Sequence, residues 1–142
     1  MLKAKTASIV LLDALHRCLL FLRDDKPTIP YPDTWDVLGG QVEPGETAEQ
    51  AIEREMLEEL ELILKKPTLF KVYDLPDRRE HLFWQQTDLD ITQTILHEGQ
   101  KLAWFSENEI RSMGRHDLAF GFRDLLIEFY TERPFDVTGR GS

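Results

Sequence analysis

Between Glu46 and Glu61 the chain carries seven glutamates on a segment whose remaining residues favour a helix. Thr47-Ala48-Glu49-Gln50 reads as a capping box, which starts the helix at about Ala48 and carries it to about Leu60. Advancing about 100° per residue from Ala48, Ile52 falls at about 40°, Met56 at about 80°, Leu60 at about 120° and Ala51 at about 300°. These four define the face that turns toward a core. Glu59 at about 20° and Glu55 at about 340° lie inside that face, and Glu58 at about 280° lies on its edge. Glu53, at about 140°, sits at the opposite margin and is expected in solvent, while Leu57, at about 180°, has no place on the apolar stripe.

The ordinary reading of such a segment is a solvated acidic face. Two features favour something else. Like charges one turn apart repel, and carboxylates aimed at a core add a desolvation penalty unless a cation compensates. Arg54 supplies only one positive charge. Hard divalent cations select carboxylate oxygens, and Mg²⁺ typically takes one or two of them together with substrate phosphates. The pattern therefore predicts a metal site on this helix. Gly39-Gly40 precede it, where glycine lets backbone approach a ligand closely. A glycine pair alone would equally suit a strand end.

The rest of the chain frames this helix. Its 142 residues are read as one domain, 1–142, and 42% hydrophobic against 30% charged residues predict a folded globular protein. A formal net charge of -9, with no basic stripe, excludes a nucleic-acid polymer as partner but not a small polyphosphate bridged by metal. Cys18 is the single cysteine, within Cys18-Leu19-Leu20-Phe21-Leu22, and is read as a buried core thiol; intracellular residence fits that usage, and a cytoplasmic location is expected. Ile9-Val10-Leu11-Leu12 is broken by Asp13, His16 and Arg17 well short of a membrane span, so it is read as a strand and no membrane partner is expected.

Strands are expected from about Lys3 to Leu12 and Arg17 to Arg23, joined near Asp13-Ala14, then at Thr68–Leu75, Glu80–Leu89 and Lys101–Phe105. Pro27, Pro30 and Pro32 make residues 24–36 a loop. Ser106-Glu107-Asn108-Glu109 opens a second, short helix, and Leu118 to Tyr130 reads as a final amphipathic helix whose Phe120, Phe122, Phe129 and Tyr130 pack on the sheet. The tail Thr138–Ser142 is expected to fray. The order gives a mixed α/β (α+β) class, a sheet between helices.

Gly40-Gln-Val-Glu-Pro-Gly-Glu46, seven residues, then Arg54-Glu55-Met56-Leu57-Glu58-Glu59-Leu60-Glu61-Leu62 resembles the Nudix box, with a single departure: Glu61 stands where that family has Gly. Pro76-Asp77-Arg78, and Glu98-Gly99-Gln100 ahead of Trp104-Phe105, extend the likeness to the MutT-like branch. The resemblance implies a Nudix fold, with a mixed sheet sandwiched between helices and the box as loop–helix–loop. It also implies Mg²⁺-dependent (or Mn²⁺-dependent) hydrolysis of a nucleoside diphosphate linked to another moiety. By position it implies Glu55, Glu58 and Glu59 as metal ligands with the Gly40 carbonyl, Glu98 as a further ligand or base, and Arg54 with Glu46 as supports of the loop. Dimers are frequent in such a family, which leaves a homodimer open.

A family Gly at position 61 suits a left-handed cap; Glu reaches it at a penalty of about 1 kcal/mol or more, or the helix runs on through Leu62. Leu38, where many relatives carry Pro, is a milder departure. For the substrate, Trp35 is a candidate base-stacking residue and Arg23, Arg78 or Arg79 are candidate phosphate contacts. Each has an ordinary counterpart: Trp35 covering the core, the turn arginines in solvent. His16, His81, His97 and His116 show no metal-ligand spacing. Two other functions compete with hydrolysis. One is a nucleotide sensor without turnover. The other is isoprenoid diphosphate isomerisation on a similar fold, which needs a carbon acid that Cys18 supplies poorly.

Overall fold

The computed structural model describes residues 3–136. Its elements run β1 (Ala4–Leu12), β2 (Cys18–Leu22), β3 (Trp35–Asp36), β4 (Leu38–Gln41), α1 (Ala48–Leu60), β5 (Thr68–Asp74), β6 (Arg78–Gln86), β7 (Lys101–Phe105), α2 (Glu107–Ser112) and α3 (Phe122–Glu132). The expected tail, Thr138–Ser142, lies outside the described residues.

Strand β1 organises the sheet. It pairs parallel to β6 along its whole length, antiparallel to β4 from Thr6 to Ile9, and antiparallel to β2 at Leu12. Beyond these, β5 pairs β6, while β3 and β7 pair β2. Both faces of β1 are covered, as its unbroken apolar run requires. Val10 and Leu12 join Cys18, Leu20 and Leu82 against Phe122, Leu126, Phe129 and Tyr130 of α3. Ala7, Ile9 and Leu11 join Leu19, Phe21 and Leu38 against Ala51, Ile52, Met56 and Leu60 of α1. Two cores therefore share one sheet, with a helix on each side, as the sequence predicts. Cys18 lies in the first core, and burial pushes its thiol up to about 12.

Several boundaries differ from expectation: a short strand, β3, lies inside the expected loop 24–36, β6 ends at Gln86 rather than Leu89, and three further differences bear on the site. The glycine pair lies within strand β4, because Gly39 stacks so closely on β1 that a Cβ there would stand 2.2 Å from the Ala7 carbonyl oxygen. β6 begins at Arg78 rather than Glu80, since the Leu75 N–H donates to the Arg78 carbonyl and closes a tight hairpin. The last helix begins at Phe122 rather than Leu118. Phe120 (φ 57°) and Gly121 (φ 72°) are left-handed and separate it from a preceding 3₁₀ turn, while Leu118 bridges to Trp35. No helix among the described residues is long and apolar enough to cross a membrane.

Candidate functional site

Helix α1 starts with the capping box read from the sequence: the Gln50 N–H donates to the Thr47 hydroxyl, and the Gln50 side chain accepts from the Thr47 N–H. It ends in a left-handed Glu61 (φ 55°, ψ 33°), with the Glu61 N–H bonded to the Leu57 carbonyl and the Leu62 N–H to that of Met56. The helix therefore stops where a family glycine would stop it, and does not run through Leu62.

The burial of Glu55 and Glu59 follows the wheel, whereas Glu53, expected in solvent, is partly buried and Glu58, placed at the edge of the core side, is exposed. Glu59 is 6% exposed, and Ala51, Ile52, Met56 and Leu60 are buried beside it. Glu55 is largely covered and Glu58 is exposed. Leu57, which the stripe could not place, points to solvent. The Glu55 carboxylate occupies the space where a side chain at position 40 would be: a Cβ on Gly40 would stand 2.3 Å from its Cδ and Oε2. A side chain at position 40 would therefore have to displace the Glu55 carboxylate.

Arg54 does more than neutralise one charge. It forms a two-pronged pair with Glu46 (2.7 and 3.0 Å), reaches Glu55 at 2.9 Å and Glu58 at 3.2 Å, and donates to the Gln41 carbonyl at 3.0 Å. The guanidinium thereby ties the loop between β4 and α1 to the helix, the geometry a fork of parallel donors allows. Glu46 is held below its ordinary range by that bond. Glu59 goes the other way. Burial raises its pKa well above the carboxylate range, helped by a hydrogen bond with Glu55 and the nearby charges of Glu98, Glu55 and Asp36. With Arg54 engaged on Glu55 and Glu58, no three acidic or imidazole groups among the described residues converge at ligand distances.

On the other side of Gly39-Gly40 the sheet opens into a cavity of about 470 Å³. Glu98 and Gly40 line it, as do Arg23, Asp36, Arg78, Glu80 and Phe120. Glu98 is raised by partial burial and by Glu55, and lowered by Arg23. Arg23 donates to Asp36 at 3.0 Å and to the Pro30 carbonyl, and Asp36, 5% exposed, is pushed up to about 7 chiefly by burial.

Trp35 lies elsewhere than its base-stacking reading required, and Arg78 lines the cavity rather than standing in solvent. Trp35 does not reach this cavity. Strand alternation turns Asp36 inward and Trp35 away, edge-on to Phe105 at 4.8 Å and under the Lys101 ammonium. Phe122 lines the cavity, and so does Phe120, which is left-handed in its backbone and packs, partly buried, against the core as expected. Phe120 lies within 5.1 Å of the Arg23 guanidinium and 4.6 Å of the Tyr31 ring. Arg78 is not a solvated turn residue. It is buried, bound to Glu80 at 2.7 Å and to the Phe120 carbonyl at 2.9 Å, and Glu80 also accepts from Thr6 and Ser8 at 2.8 Å. Its charge is thus largely committed to the floor of the cavity. Arg79 is exposed near Asp74.

A sheet between two helices, with a glycine-gated glutamate helix on one side and a cavity on the other, corresponds to the known families as follows. The NUDIX domain model matches residues 2–128, and the chain belongs to that family. A Bacillus subtilis (strain 168) protein provisionally named 8-oxo-dGTP diphosphatase is 36% identical over 80 residues, 55% of this chain and 50% of that one, so the match spans half the relative's length. Among solved structures, the MutT protein of Methanosarcina mazei Go1 aligns with a TM-score of 0.72 at 20% identity, covering 93% of this chain and 96% of its own. A mutT/nudix family protein of Listeria innocua aligns at 0.73 and 22%, covering 94% and 95%. These neighbours share the fold.

Proposed function

We propose that the chain is a divalent-metal-dependent pyrophosphohydrolase that cleaves a nucleoside diphosphate derivative by attack of water at phosphorus. One observation carries this reading: Glu55 and Glu59 lie largely buried on one face of the helix, with the Glu55 carboxylate filling the space beside Gly40, and their neighbouring cation, Arg54, reaches only Glu55 of the two. The donor chemistry suits Mg²⁺ or Mn²⁺: Glu55, Glu58, Glu59 and the Gly40 carbonyl would hold the ion, with Glu98 at the cavity, once Arg54 gives up its bonds to Glu55 and Glu58 and the carboxylates draw together. Bound there, the ion would neutralise phosphate charge and acidify water.

The protein's own groups do the rest. Arg23 at the cavity wall faces the phosphates, and Phe120 offers the surface on which a base rests. Glu98, raised by burial, takes the proton of the attacking water as the new P–O bond forms and the bridging oxygen leaves with the departing phosphate. A nucleoside triphosphate, oxidised purines included, is the first substrate class to examine. The name of the Bacillus subtilis relative supports that choice, and the cavity volume suits a nucleoside. Glu59→Gln should fold as the parent does, by circular dichroism, and lose about a hundredfold or more of Mg²⁺-dependent turnover. Full activity in that variant would sink the metal assignment.

A further inference from the structure

The residue that departs from the family pattern makes a contact a glycine could not. Glu61 holds a left-handed backbone that favours Gly over Glu. Its carboxylate lies 2.6 Å from Nε2 of His97, in the loop 87–100 between β6 and β7. The His97 N–H also donates to the Glu59 carbonyl at 2.9 Å. The next residue is Glu98.

Beyond Glu98 the loop is fastened again. Gly99 (φ 91°) sits where a Cβ would stand 2.6 Å from the Phe21 ring and 2.8 Å from the Leu22 carbonyl oxygen. The Gln100 N–H donates to that carbonyl at 2.7 Å, and its side chain donates to the Arg23 carbonyl and to Asp33. Glu98 is therefore clamped between two anchors. The second is mostly backbone; the first adds the Glu61–His97 side-chain pair to the single backbone bond from the His97 N–H to the Glu59 carbonyl. Both partners of the Glu61–His97 pair are about half exposed, with 54% and 49% of their side-chain surface accessible, so it contributes little to global stability. What it does is fix His97, and through it Glu98, against the helix that carries Glu55 and Glu59.

We infer that Glu61 and His97 form a latch that positions Glu98 over the glutamate helix, and that both are positioning residues for turnover. This rests on the reading that Glu98 works in the reaction. A contact of this strength shifts loop populations by about three- to fivefold. E61A and H97A should each lower kcat by about that factor with KM within about twofold, and the double variant should lose no more than either. E61Q keeps a hydrogen-bonding group and the same backbone, and should stay near the parent. In the cation-free protein, amide exchange of residues 97–100 should quicken in E61A and H97A but not in E61Q. E61G relieves the backbone, so it should melt above E61A yet turn over no faster.

A cap with a merely structural role predicts otherwise: kcat would follow melting temperature, E61G would match or exceed the parent, and loop exchange would not change. Any of these overturns the latch. E98Q separates the two readings. Undiminished turnover in E98Q refutes the role of Glu98 in the reaction, and amide exchange then decides the latch by itself.

Discussion

Gly40 illustrates how a residue with no side chain determines what a charged one can do. The Glu55 carboxylate fills the space next to its Cα, so Gly40→Ala must push the carboxylate aside or bend the loop. Misplacing a reacting group by about 1 Å costs on the order of a hundredfold in rate. The expected result is therefore a kcat lowered by about two orders of magnitude with a nearly unchanged fold, measured by steady-state kinetics beside thermal melting. Direction was legible at this scale: an angle on a wheel separated Glu55 and Glu59 from Leu57. Reach was not. That Arg54 would engage Glu46, Glu55 and Glu58 together depends on where the loop folds back, which no helical periodicity encodes. The same limit exchanged Trp35 for Phe120 and Phe122, because which aromatic residues face the cavity is set by strand alternation and a left-handed turn.

At the scale of elements, capping chemistry was the most transferable signal. Thr47 with Gln50, and Ser106 with Glu109, each make both bonds of the reciprocal box, so the starts of α1 and α2 follow from four residues apiece. Strands with strong apolar runs were also legible, as in β1, β2 and β7. Short strands defined by a partner were not. β4 contains two glycines and owes its place to β1, which a local pattern cannot show. The start of α3 was read too early because Leu118, Ala119 and Phe122 keep an apolar spacing across a break at Phe120-Gly121. That break puts the Phe120 carbonyl on Arg78 and its ring on the cavity, so the irregularity belongs to the site.

For the whole molecule, burying acid groups shapes the response to pH. Asp36, pushed up to about 7, and Glu59, higher still, keep protons in the fold that the unfolded chain gives up above its ordinary carboxylate range of about 4. Between these limits the native state binds more protons, so stability falls as pH rises. The cation-free protein should thus denature at lower urea at about pH 8.5 than at about pH 5.5, and Glu59→Gln should flatten that slope. Saturating Mg²⁺ should restore stability at the higher pH, since a ligand that binds only the native state raises its stability. An unchanged midpoint across this range would contradict the raised pKa of Asp36 and Glu59.

A sheet with a helix on each face brings the glutamate helix and the nucleoside-sized cavity together at Gly39-Gly40, and hydrolysis at that junction is the central claim. It is tested most directly by incubating the protein with nucleoside triphosphates, 8-oxo-dGTP among them, in Mg²⁺ and ¹⁸O-labelled water, and weighing the products. The expected products are a nucleotide and a phosphate or pyrophosphate, one of them carrying a single ¹⁸O, with no product when the metal is chelated. Tight nucleotide binding with no labelled product in Mg²⁺ or Mn²⁺ would contradict the central claim and make the chain a sensor.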